Sequence, residues 1–74
     1  MAGKYSVVIL RGATVVKRFK ARDLVDAETQ FDHHNNMLRW SKLHRDKLGL
    51  RQGEDVTLQL FDHREGFELR EAMI

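Results

Sequence analysis

A chain of 74 residues is too short to build two hydrophobic cores, so one domain is expected. The absence of cysteine excludes disulfides and takes away the usual ligands of a structural zinc site, leaving good packing or a second subunit to support a thin core. Thirteen basic against eleven acidic residues give a net charge of only +2, which by itself selects no partner.

The order of the charges says more than their sum. Residues 1–22 carry Lys4, Arg11, Lys17, Arg18, Lys20 and Arg22 and no acid. Residues 23–36 carry Asp23, Asp26, Glu28 and Asp32 and no Lys or Arg. Residues 37–51 are basic again, with Asp46 as their one acid, and residues 52–74 set six acids against Arg64 and Arg70. These blocks follow the expected structural segments.

The first segment, residues 4–21, reads as a β-hairpin. Tyr5-Ser6-Val7-Val8-Ile9-Leu10 is apolar and rich in β-branched residues, as strands are. Gly12 in Arg11-Gly12-Ala13-Thr14 permits the positive φ of a type II′ turn, and Thr14 to Lys20 returns. Apolar residues at both odd and even positions of the first strand predict a strand that is central or covered on both faces. The longest apolar run, Val7 to Leu10, is far too short to cross a membrane. Met1 to Ser6 leads straight into the strand with no apolar leader, so a cytoplasmic protein with no membrane partner is expected.

The second segment, residues 23–48, reads as one long helix. Asp23 is the expected N-cap, with Asp26 in a capping-box-like position, and Leu48-Gly49-Leu50 supplies the C-terminal stop. Acids in its first half and bases in its second complement the helix dipole without any ligand. Leu24, Ala27, Phe31 and Leu38 form one apolar stripe, which also takes in His34 and Asn35. Met37, Trp40, His44 and Leu48, with Leu43 beside them, form a second stripe on the far side. The two stripes predict either a bend near Asn35-Asn36 or a continuous helix buried on two sides. At 1.5 Å per residue the helix would run about 39 Å, against about 23 Å for a seven-residue strand. Its C-terminal half is therefore expected to overhang the sheet and seek a partner.

The third segment, residues 55–74, reads as a second hairpin, entered through a turn at Arg51-Gln52-Gly53-Glu54. Val56, Leu58 and Leu60 alternate inward, Asp62 to Gly66 turns, and Phe67 and Leu69 are expected inward on the return, ending in an apolar Ala72-Met73-Ile74 tail. The predicted class is α+β, ββαββ, with two β-hairpins flanking one long helix packed on an antiparallel sheet. A single helix covers one face of such a sheet, which leaves apolar side chains of the first hairpin uncovered and favours a homodimer.

Chemistry-bearing motifs are absent. There is no nucleophile elbow, phosphate-binding glycine loop or paired-histidine zinc motif, and 74 residues leave little volume for a pocket. Asp32-His33-His34-Asn35-Asn36 has only a superficial likeness to a nuclease motif. Neighbouring His33 and His34 diverge on a helix and neither begins a His-x3-His pair, so no metal, cofactor or catalytic residue is expected.

Two binding readings survive. Met37, Trp40, Leu43, His44 and Leu48 form the expected protein interface, because Trp beside Arg39 is the composition of binding hot spots. Its simpler alternative is ordinary packing beneath the second hairpin. Nucleic-acid binding would instead use Lys17, Arg18 and Lys20 of the first hairpin and Arg39, Lys42 and Arg45 of the basic helix end. Against it, the acidic second hairpin is expected beside the basic first one, neutralising it through cross-strand pairs.

The stretches Val16-Lys17-Arg18-Phe19-Lys20-Ala21-Arg22-Asp23-Leu24 and Leu48-Gly49-Leu50-Arg51-Gln52-Gly53-Glu54-Asp55-Val56 give the chain a texture that resembles short proteins encoded by phages of actinobacteria. The resemblance carries no functional residues. It implies expression in a bacterial cytoplasm and favours binding and modulating a host protein, or a small regulatory part, over a metabolic enzyme.

Overall fold

The computed structural model describes residues 4–51 and 53–74. It is an α+β domain in the order β1 (Tyr5–Arg11), β2 (Thr14–Ala21), α1 (Leu24–Trp40), α2 (Lys42–Lys47), β3 (Val56–Asp62) and β4 (Phe67–Met73). The expected turn at residues 51–54 includes Gln52, and the expected N-terminal lead-in includes Met1 to Gly3; these four lie outside the described residues.

All strand pairs are antiparallel, in the order β2-β1-β3-β4. The two hairpins thus join through their first strands, and the strands with the fewest charges take the centre. Gly12 turns the first hairpin at φ +61°, while Ala13 keeps a negative φ, as a II′ turn requires. In the second, Asp62 Oδ1 accepts hydrogen bonds from the amides of Arg64 and Glu65, and its carbonyl accepts from the Gly66 amide. Each outer strand has a β-bulge, opposite Ile9/Leu10 in β2 and opposite Leu60/Phe61 in β4.

The helices lie on one face. Ala27, Phe31 and Leu38 of α1 bury against Val7, Ile9, Ala21, Val56, Leu58 and Leu60. Asp23 caps α1 through the Asp26 amide, and Asp26 reaches back to the Arg22 amide. Of the first stripe, Ala27, Phe31, His34 and Leu38 are buried, Asn35 is half-buried and Leu24 is exposed.

The single long helix is not formed. Ser41 adopts extended backbone at φ −110° and ψ 105°, ending α1 and beginning α2, where its hydroxyl accepts from the His44 amide. The break therefore falls at Ser41, five or more residues after the Asn35-Asn36 pair. It removes the overhang: 17 residues of α1 measure about 26 Å, close to the strand length. The expected stop does form, as a Schellman motif. Leu50 N–H donates to the Arg45 carbonyl, Gly49 N–H donates to Asp46, and Gly49 takes φ +72°. This turn drives Leu50 into the core and brings Leu48 against it.

A second correction concerns β4. Phe67 and Leu69 are 52% and 39% exposed: Phe67, paired with Asp62, stands on the helix side but is left uncovered, and Leu69 is the extra residue of the bulge. The helix packs over β1, β2 and β3 and does not reach far enough to cover the outer strand. The bulge also shifts the phase, so Arg70 and Ala72 face the helix side, paired with Leu60 and Leu58. Arg70 lays its guanidinium over the Phe31 ring at 4.4 Å and meets Asp32 at 3.2 Å, which seals the rim of the core.

Phe31 is therefore the side chain on which helix, sheet and rim converge. Phe31→Leu should cost about 1–1.5 kcal/mol and Phe31→Ala about 3–5 kcal/mol in urea unfolding. The latter is most of the stability available to so small a domain.

Candidate functional site

The face of the sheet opposite the helices has a defined composition. Residues paired across antiparallel strands point to the same side, so the registers give its layout in three rows. One row is Lys20–Ser6–Phe61–Glu68, the next Arg18–Val8–Gln59–Glu71, and the third Val15–Leu10–Thr57–Met73. In two of the three rows a cation stands on β2 and a carboxylate on β4. Between them lie Val8, Leu10 and Phe61, and the third row is apolar at both edges.

A depression of about 210 Å³ occupies this face, lined by Val8, Leu10, Val15, Arg18, Gln59, Phe61 and His63. Val15 is 46% and Met73 72% exposed. Gln59 Nε2 donates to Glu71 Oε2 at 3.1 Å, which orients that carboxylate. At the end of the face His63 stands edge-on to Phe61, and its Nε2 shares a 2.6 Å hydrogen bond with Ser6 Oγ. The Ser6–His63 distance is that of a nucleophile and its base. Ser6, however, is buried, and the Asp62 carboxylate is engaged by loop amides rather than by the histidine ring. The pair pins the second hairpin loop to β1, as does the bond from His63 N–H to the Lys4 carbonyl.

The residues expected to form an interface do not make one surface. Leu48 packs on the core, Met37 and His44 are half-buried, and Trp40 and Leu43 alone project, at 81% and 65% exposure. Beside Trp40, a hollow of about 220 Å³ at the helix break is lined by Arg39, Ser41, Lys42, Arg45, Asp46 and Leu50.

The cations expected to bind nucleic acid are likewise divided. Arg18 and Lys20 lie on the open face, and Lys17 lies on the helix side, 6.0 Å from the Phe19 ring centre. Arg39 donates to Asn35 and to the Met73 carbonyl, beside the opposite edge strand. Arg45 clamps the Leu38 and Arg51 carbonyls and so holds the helix break closed. The β2 and β4 edges are about 14 Å apart, three strand spacings. Nor do the hairpins neutralise one another, because β1 and β3 separate the basic strand from the acidic one.

Folding back α2 creates a histidine cluster that linear spacing hides. His34 Nδ1 comes within 3.5 Å of His44 Nε2, with the His34 ring stacked on Phe19 at 4.1 Å and His33 edge-on at 5.2 Å. Burial, reinforced by His33 and His44, lowers the His34 pKa to about 4, and burial also lowers that of His44. Among the described residues no three His, Asp or Glu side chains form a metal-binding group. No described helix is long and apolar enough to cross a membrane. Comparison with protein-family models, curated proteins and solved structures finds no match.

The His34 shift fixes a sign. The unfolded chain takes up the proton near pH 6.5 and the folded chain only near pH 4. Stability is therefore full above pH 6.5 and falls as the pH drops towards 4. About 1–2 kcal/mol should be lost between pH 7 and pH 5. His34→Gln should flatten that dependence in urea melts recorded at the two pH values.

Proposed function

We propose that this protein is a non-enzymatic protein-interaction module that works through the open face of its sheet, with a second copy of the chain as the occupant. The observation that supports this reading is the helix-free face itself. It carries Leu10 and Phe61, half-buried, beside the buried Val8 on its central strands, and exposed Val15 and Met73 on edge strands whose charges are of opposite sign. A four-stranded sheet covered on one side only, with apolar residues on the other, gains by burying them. The face measures about 19 by 23 Å from the strand spacing and rise. That is the scale of a small, reversible interface rather than an obligate one.

The helix end contributes less to this reading than the spacing of its apolar residues implied. With the overhang gone, Trp40 and Leu43 project from it, but Leu48 belongs to the core. The nucleic-acid alternative has its cations split between Arg18 and Lys20 on the open face and Arg39, Lys42 and Arg45 around the hollow at the helix break, each a small footprint for phosphate binding. The bacterial host target implied by the phage resemblance is a competing occupant of the same face.

Sedimentation velocity over a concentration series tests the proposal. A reversible monomer–dimer equilibrium is expected, and Leu10→Lys should shift it towards monomer while leaving the far-UV circular dichroism unchanged. A chain that stays monomeric to millimolar concentration, or whose dimer ignores Leu10→Lys, would overturn it.

A further inference from the structure

We infer that two copies stack open face to open face about a two-fold axis running along the strands, so that β2 of each lies over β4 of the other. This deepens the preceding proposal and rests on it. Two sheets can be placed face to face by a two-fold axis in either of two directions, and the charge layout distinguishes them.

With the axis along the strands, between β1 and β3, each row meets the same row of the partner in reverse order. Lys20 then faces Glu68, Arg18 faces Glu71, and Val15 faces Met73, each on opposite protomers. Symmetry repeats every pair, giving four opposite-charge pairs at the rims, while along the centre Phe61 covers Ser6, Val8 covers Gln59 and Leu10 covers Thr57, each on opposite protomers. With the axis across the strands, β2 lies on β2 and β4 on β4. Arg18 would then face Arg18, and Glu71 would face Glu71. At the edges the first arrangement satisfies the self-complementarity of charge that a two-fold interface demands, and the second violates it.

Distance supports the pairing. Packed sheets lie about 10 Å apart, which an arginine or lysine reaching towards a glutamate can span at the rim while the central side chains fill the middle. Aligned sheets cross at about 30°, and that moves the edge rows by about one residue, within the reach of the same long side chains. Like charges placed opposite one another repel, so the charges set the orientation even where each pair adds little affinity. The fold leaves these four side chains available for the purpose. Arg18, Lys20 and Glu68 are exposed and make no ion pair among the described residues, and the Gln59 bond holds Glu71 on the face.

Charge reversal by edge provides the test, read by sedimentation velocity beside Leu10→Lys. Arg18→Glu with Lys20→Glu should weaken the dimer about tenfold or more, and Glu68→Lys with Glu71→Lys should do the same. The chain carrying all four reversals should dimerise as the parent does, because its edges remain complementary. Added salt should weaken the parent dimer.

If Leu10→Lys disrupts the dimer while either edge reversal leaves it intact, the open face stands and this orientation falls. If the four-fold variant stays monomeric while folded, the orientation falls as well. If the parent protein is monomeric and forms a complex only with added oligonucleotide, dependent on Arg18 and Lys20, both proposals fall.

Discussion

The rest of the structure depends on the antiparallel pairing of β1 with β3. That ladder joins residues from opposite ends of the chain, Tyr5 to Asp62 and Arg11 to Val56, and makes one sheet of two hairpins. Both strands are almost free of charge, so they can lie at the centre with apolar side chains towards the helices. The charged strands β2 and β4 are pushed to the rims. Everything distinctive about the open face follows from that order: the uncharged middle, the basic edge and the acidic edge. Had the chain paired β2 with β4, the same residues would have cancelled one another inside a single copy.

The helix side answers to the same constraint. An element 17 residues long can follow the strands from Asp23 to the far end, but it covers only part of the sheet's width. Beyond that, the chain must turn, and Ser41 lets it by capping in both directions. Arg45 then ties the two sides of the break together through the Leu38 and Arg51 carbonyls. Leu50 closes the core at that end and Arg70 closes it along the β4 rim.

Local signals carried much of this into the sequence. Gly12, Asp23 and Gly49 each mark a backbone event that depends on a few neighbouring residues, and each occurs where it was expected. The alternation of Val56, Leu58 and Leu60 reports burial directly. Ser41 was less legible, because serine inside a helical pattern carries no fixed meaning until the next turn folds back. The exposure of Phe67 and Leu69 depends on a bulge and on how far a helix reaches, neither of which is a local property. The open face was legible only in outline. That one face would lack a helix followed from counting elements. Which residues share a row needed the strand order, which no short stretch of this chain encodes.

The bulges in the two outer strands have a consequence for assembly beyond the pair. A basic edge and an acidic edge on one sheet invite lateral, head-to-tail addition, β2 of one molecule beside β4 of the next, and such growth has no natural end. Regular edge strands would supply the continuous ladder of amides and carbonyls that it needs. Here the extra residues at Val16 in β2 and Leu69 in β4 interrupt that ladder and twist each edge locally. The irregularities thus oppose filament growth, and under the proposed stacking the edge charges act across the face, where association closes at two.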